Sequence, residues 1–300
     1  MRISGFSFVR NAVALDYPLR ESLLSILPLV DELVVVVAPG EVDDGTRAVV
    51  ESLDDGRLRI VDAVWDDARR QEIYADLTNQ ALERCTGDWC LYVQADEVVH
   101  EDDHETIRDR ARMLLPDRRV EGLLFDYLHF FGDYDHIQPG QGWYRREIRM
   151  IRNGIGVRSV RDAQSFRYPD QTRITVARAR ARIFHYGWAR HPRLMQAKVR
   201  EFWSHRRPRE EVEAELGRVE AFDYGPLGRL PRYRGTHPAV MHDRIRSMDW
   251  ADQLREVDPP GLERTQRHMD ERPKYRILSA LTRWTGIDLN HTNHGRVLKV

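Results

Sequence analysis

Residues 88–103, DWCLYVQADEVVHEDD, run from apolar side chains into two adjacent carboxylates, Asp96 and Glu97. Acids at the end of a segment made for burial belong at the carboxyl edge of a strand, where open α/β sheets hold their ligands. Asp43/Asp44 and Asp66/Asp67 follow two earlier apolar stretches in the same way. Carboxylates gathered at one edge repel one another. A hard cation such as Mg²⁺ or Mn²⁺ relieves that repulsion and keeps positions open for phosphate oxygens. Farther on, His185 ends an apolar stretch in ARIFHYGWAR, and Asp162 is an isolated acid among Arg residues, whose positive charge keeps it ionised. Arg145, Arg146, Arg149 and Arg152 offer bidentate contacts to a diphosphate. Trp143, Tyr144 and Trp188 offer faces for stacking, although aromatic residues more often fill a core. Glu101, Asp102 and Asp103 read as a solvated acidic loop.

The elements that must position these groups are legible in the pattern. Residues 2–9 read as a first strand, and Pro18 sits in the first turn of a helix with Leu19, Leu23, Ile26 and Leu27 as its apolar stripe. Residues 33–38, LVVVVA, are continuously apolar, as a parallel strand covered on both faces should be. Thr46 is placed to cap a helix over 47–53, and 58–61 form a third strand. Ile73, Leu77, Ala81 and Cys85 mark an amphipathic helix over 69–85, closed by Gly87 and followed by a strand at 89–93. Strands at 121–131 and 143–152 follow, and from about residue 192 the pattern turns helical, interrupted by prolines. The alternation predicts an open, mostly parallel, twisted α/β sheet with helices on both faces. Residues 1–190 form the main domain, and 191–300 a mainly helical extension that serves acceptor binding or a subunit contact.

Bulk composition narrows the class. The chain has 300 residues, 41% hydrophobic and 32% charged, with a net charge of −1. Residues 41–110 hold 20 acidic against 8 basic residues, and 141–210 hold 5 against 18, a segregation suited to a phosphorylated ligand. Near-zero net charge and the absence of a clean basic face argue against nucleic acid as a partner. No apolar run is long enough to span a membrane, the N-terminal stretch lacks the form of a secretory signal, and the two cysteines make neither a disulfide framework nor a zinc site. A cytoplasmic protein is expected.

Four segments in order, FVRNA (8–12), VDDGT (42–46), LTNQALERCTGDWCLYVQADE (77–97) and HYGW (185–188), resemble the family 2, GT-A fold glycosyltransferases, in particular compact bacterial members. The resemblance covers residues 2–190. It implies a GT-A (Rossmann-like) domain that moves a sugar, with inversion, from a UDP-, GDP- or dTDP-sugar to a glycan, lipid-linked or small-molecule acceptor. A divalent cation, Mn²⁺ or Mg²⁺, would assist. Carried over position by position, Arg10, Asn11, Asp44, Asn79 and Gln94 lie at the nucleotide-sugar. Asp96 and His185 meet the metal, and Asp162, with Glu97 as its rival, is the catalytic base. Gln94 departs from the family's usual Asp, which weakens the expected hold on a metal.

Two other readings compete. A sugar nucleotidyltransferase needs a Gly-rich basic loop after the first strand, which FVRNA lacks. A catalytically degenerate nucleotide-binding scaffold is favoured by Gln94 and disfavoured by the joint presence of Asp44, Asp96, Asp162 and His185. Contact with the inner face of a membrane and homodimer formation are left open by the sequence.

Overall fold

The computed structural model describes residues 1–66, 72–140, 142–264, 268–285 and 295–300. Its first half alternates β1 (Ile3–Val9), α1 (Leu19–Ile26), β2 (Glu32–Val37), α2 (Thr46–Glu51), β3 (Leu58–Asp62), α3 (Ile73–Leu82) and β4 (Trp89–Tyr92). These strands are parallel in the order β3-β2-β1-β4. Successive residues of β2 serve opposite cores, because side chains of a strand alternate. Leu33, Val35 and Val37 pack with Leu19, Leu23 and Ile26 of α1, whereas Val34 and Val36 pack with Ile73, Leu77 and Ala81 of α3. A continuous apolar run is therefore the pattern such a strand requires. Gly87 turns the chain into β4 where a Cβ would lie 2.8 Å from the Ser4 backbone nitrogen.

The second half adds β5 (Glu97–Val99), α4 (His104–Leu114), β6 (Gly122–Phe131), β7 (Arg146–Arg152), β8 (Arg158–Val160), β9 (Ser165–Arg167) and β10 (Thr175–Trp188). β7 lies antiparallel between β4 and β6, β10 runs parallel to β6, and β5 pairs antiparallel with β10. The result is the expected mixed, mostly parallel α/β sheet, nine-stranded among the described residues. The hairpin β8-β9, which no alternation in its Arg-rich sequence announces, stands apart as a separate two-stranded ribbon.

Four further helices follow, α5 (Pro192–Ser204), α6 (Arg209–Leu216), α7 (His242–Arg246) and α8 (Pro273–Thr285), and β11 (Arg296–Val297) pairs with the edge of β10. Between them, Tyr224, Leu227 and Leu230 pack on Phe131, and Met241 and Trp250 join Phe130, Phe184 and Tyr186 in aromatic clusters. Among the described residues no helix is long and apolar enough to cross a membrane. Both cysteines are buried and free.

Some boundaries differ from the sequence expectation for identifiable reasons. Thr46 starts α2 without capping it. Gly45, at φ 82°, holds the cap position, and the Thr46 hydroxyl instead accepts the N–H of Ala12 at 2.7 Å. β7 begins only at Arg146, because Trp143 and Tyr144 turn inward beside His129. The front of the helix expected over 69–85, and Asp67, lie outside the described residues.

Candidate active site

Sheet order reverses between β1 and β4, and a crevice opens at such a reversal beyond the carboxyl ends of the strands. The loop after β1 carries Arg10 and Asn11, whose φ of 50° turns the chain sharply. The guanidinium of Arg10 lies 3.9 Å above the Trp65 ring and pairs with Glu201 of α5 at 2.7 Å. The Asn11 amide donates to the same Glu201 oxygen at 2.9 Å. Asp44 accepts the N–H groups of Val13 at 3.1 Å, Ala14 at 2.8 Å and Thr46 at 3.0 Å. Burial would raise its pKa, but these hydrogen bonds outweigh burial and hold the carboxyl below its usual value. Asp44 thus ties the loops after β1 and β2 together. Behind them Phe8, Tyr74, Trp65 and His205 form a chain of ring contacts at 5.1–6.2 Å.

The two acids that end the β4 segment have different partners. Glu97 is fully buried and receives Arg149 through two bonds of 2.8 and 2.7 Å, Tyr127 hydroxyl at 2.7 Å and the Gln94 N–H at 3.1 Å. A carboxylate so enclosed holds β5 and β7 in place. Asp96 is also buried, but it meets α5 and β10 instead of β7. Its Oδ2 lies 3.1 Å from the Lys198 ammonium of α5 and 3.6 Å from His185 Nε2. Burial opposes ionisation of Asp96, yet the Lys198 ammonium, the His185 ring and the Arg190 guanidinium hold it well below the usual carboxylate range. Burial lowers Lys198 to about 8 against the pull of Asp96.

The pairing of His185 with Glu97 across β10 and β5 brings the HYGW segment to this place. His129 Nε2 reaches the Tyr144 carbonyl at 2.6 Å, and its Nδ1 meets His185 Nδ1 at 2.9 Å. Burial, then the neighbouring His185, push the His129 pKa well down, so its ring is neutral. The network therefore puts the His129 proton on Nε2, the shared proton on His185 Nδ1, and turns His185 Nε2 toward Asp96. Gly187 is indispensable here: a Cβ would lie 2.4 Å from Asp96 Oδ2 and 2.6 Å from His185 Nε2.

Asp162 occupies the turn of the β8-β9 hairpin, between Arg161 at φ 58° and Ala163 at φ 59°. Two non-glycine residues in the left-handed region cost about 1–2 kcal/mol each and persist only where the surroundings impose them. Buried Ala163 wedges the turn against the β4 edge, its carbonyl 3.5 Å from the Gln94 amide. Asp162 pairs with Arg206 at 2.8 Å and lines a cleft of about 650 Å³ with Asp76, Asn79, Ser159 and Arg161. Asn79 clamps the Ser159 peptide from both sides, at 3.2 and 2.7 Å, and so holds the hairpin.

The structure therefore joins Asp96 with His185, and Arg10 with Asn11, through α5. Gln94 touches the hairpin turn at the Ala163 carbonyl, next to Asp162, whereas Asn79, Asp44 and Glu97 brace the walls. Three groups had escaped the sequence reading: Lys198, Arg190 and Glu147. Arg190 is buried; its Nη1 bonds the Leu15 carbonyl, while Nε and Nη2 have no partner among the described residues. Glu147 is buried on β7, where burial raises its pKa to about 8; Glu97 and Asp162 add to that and Arg149 opposes it. Its only sequence signal is that of a lone acid in WYRREIRMIR.

A divalent cation would meet one carboxylate and one imidazole nitrogen here, with an ammonium already on the carboxylate. Among the described residues no group of three His, Cys, Asp or Glu side chains could hold a metal. The carboxylate they offer already carries the Lys198 ammonium at 3.1 Å, so the residues present do not fit a resident cation.

No family model and no curated protein matches the chain. Solved structures do. S. aureus TarS 1-349 in complex with UDP matches at TM-score 0.34 and 23% identity, over 44% of this chain and 37% of that one. Mannosyltransferase PcManGT from Pyrobaculum calidifontis, in complex with GDP-Man and Mn²⁺, matches at TM-score 0.32 and 24% identity, over 41% and 34%. Glucosyl-3-phosphoglycerate synthase from Mycobacterium tuberculosis, with Mn²⁺, UDP and phosphoglyceric acid, matches at TM-score 0.29 and 19% identity, over 43% of each chain. In these three matches the chain spans less than half of each protein's length.

Proposed function

We propose that the protein transfers a glycosyl group from a nucleoside-diphosphate sugar to an acceptor hydroxyl. One observation carries the reading. Beyond the sheet's reversal point the buried carboxylate of Asp96 is accompanied by two cations, Lys198 and Arg190, and among the described residues Arg190 Nε and Nη2 have no hydrogen-bond partner. Such an excess of enclosed positive charge is suited to a diphosphate leaving group, whose developing charge it stabilises. The loop of Arg10, Asn11 and Asp44, with the rings of Trp65 and Tyr74 beside it, is suited to the nucleoside.

Asp162 is the candidate base. In the reaction the acceptor oxygen bonds to the anomeric carbon while the carbon–oxygen bond to the diphosphate breaks. The hydroxyl proton passes to Asp162, and the leaving diphosphate takes the bonding electron pair. One base acting in a single displacement inverts the anomeric centre. Arg206 pairs with Asp162 at 2.8 Å and holds its carboxyl at the cleft. Donors with UDP, GDP or dTDP, and glycan, lipid-linked or small-molecule acceptors, remain the candidates; dependence on Mn²⁺ or Mg²⁺ is tested with them.

The test is Asp162→Asn, assayed for nucleotide binding by calorimetry and for transfer with a panel of donors. Binding should persist, and transfer should fall by about 10²–10⁴-fold, the worth of a positioned base. Undiminished transfer would refute the role of Asp162. Binding without transfer in the wild-type protein would favour the degenerate scaffold.

A further inference from the structure

We infer that the ammonium of Lys198 is the site's built-in cation: it receives the donor diphosphate beside Asp96, so that nucleotide binding needs no divalent metal. The inference rests on the donor-site reading above and deepens it.

Lys198 reaches the site from α5, about a hundred residues beyond Asp96, and is fixed at two points. Its Nζ donates to Asp96 Oδ2 at 3.1 Å and to the Gly187 carbonyl at 2.7 Å, with the Tyr17 ring 5.0 Å away. The side chain is only 16% exposed, so its charge is poorly screened. An ammonium has three donors, and two are engaged here. The third has no acceptor among the described residues. Any side chain at Gly187 would collide with both Asp96 and His185, so a glycine there keeps Asp96 within reach of Lys198.

Charge balance leads to the same conclusion. Gln94 brings no second carboxylate; its amide is directed to the Ala163 carbonyl. Glu97 is committed to Arg149 and Tyr127. That leaves Asp96 as the carboxylate beside Lys198, and one ammonium balances it, with Arg190 as surplus. A divalent ion on Asp96 would have to displace Lys198 and strand its charge in a largely buried place, which is costly. It would also raise an already positive pocket by two further charges. A diphosphate satisfies the third N–H and the surplus charge together.

The experiment is calorimetric titration of the full chain with UDP, GDP and dTDP, each in EDTA and each in Mn²⁺. At least one nucleotide should bind equally well in both. Lys198→Met should weaken that binding in EDTA by about tenfold or more, the worth of a charge-assisted hydrogen bond. Lys198→Arg should lose less. In parallel, the electron paramagnetic resonance spectrum of Mn²⁺ with nucleotide-free wild-type protein should remain that of the free aqueous ion. Nucleotide binding seen only with Mn²⁺, or Mn²⁺ immobilised by the nucleotide-free protein, would overturn the role of Lys198 and leave the donor site standing. A folded Lys198→Met variant that binds as wild type in EDTA would overturn it too. Absence of nucleotide binding in either buffer would overturn the donor site itself, and the inference with it. If Lys198→Met fails to fold, the wild-type comparison of EDTA with Mn²⁺ decides alone.

Discussion

Replacing Glu147 by Gln should make the protein more stable, and by an amount that grows with pH. Glu147 is buried on β7, with Oε1 accepting the Gln164 amide at 3.2 Å and Oε2 without a partner among the described residues. Burial raises its pKa from 4.5 to about 8, and the charges facing it are Glu97, Asp162 and Arg149. Below pH 4.5 both folded and unfolded chains are protonated, and the group contributes nothing. Between 4.5 and about 8 the unfolded chain ionises while the folded one stays neutral, so stability falls as pH rises. A shift from 4.5 to about 8 corresponds to about 5 kcal/mol at the top of that window and about 3 kcal/mol at pH 7. Gln keeps the shape and cannot ionise. Urea unfolding followed by circular dichroism, on both proteins from about pH 4.5 to 8.5, measures the difference. It should widen by about 5 kcal/mol across the range. A difference that stays flat with pH would refute the reasoning: Glu147 would then be ionised in the folded protein, its charge absorbed by Arg149.

Gly187→Ala should leave the chain folded, raise the apparent Kd for nucleotide by about tenfold or more and show in calorimetry, because the new Cβ forces Asp96 and His185 apart; unchanged affinity would mean that the crevice is not the donor site. Arg149→Met should cost about 3–5 kcal/mol in urea unfolding, since it strands Glu97 as a buried charge. The double change Arg149→Met, Glu97→Gln should recover part of that loss, and failure to do so would assign the cost to packing.

The first half of the fold was legible because each strand and helix there carries its own periodicity. The run at 33–38 reads as a doubly covered strand, and it is one. The acidic pair was legible as a place but not as a division of labour. Nothing in the string ADE tells that Glu97 is enclosed by Arg149, since that enclosure depends on β7 running antiparallel beside β4. Lys198 was invisible for the same reason: helix α5 reads as an ordinary amphipathic segment, and only the tertiary fold brings it over the β4 edge. The hairpin that carries Asp162 is held by Asn79 and Ala163, not by any strand pattern of its own. Asn79 lines the cleft beside Asp162, and its amide clamps the Ser159 peptide, a structural task that no motif announces.

Helix α5 sets the spacing of the site. Lys198 at Asp96, Glu201 at Arg10 and Asn11, and His205 at Trp65, just past its end, are spaced three and then four residues apart, so they share one side of the cylinder. At a rise of 1.5 Å per residue they mark off about 10 Å along it. The three contacts are therefore not independent tenants of the crevice but teeth on one rack. A single residue inserted before Lys198 would rotate all three by about 100° at once. Selection on any one of them acts on the phase of the whole helix, and a bound molecule that fixes one tooth thereby sets the position of the other two.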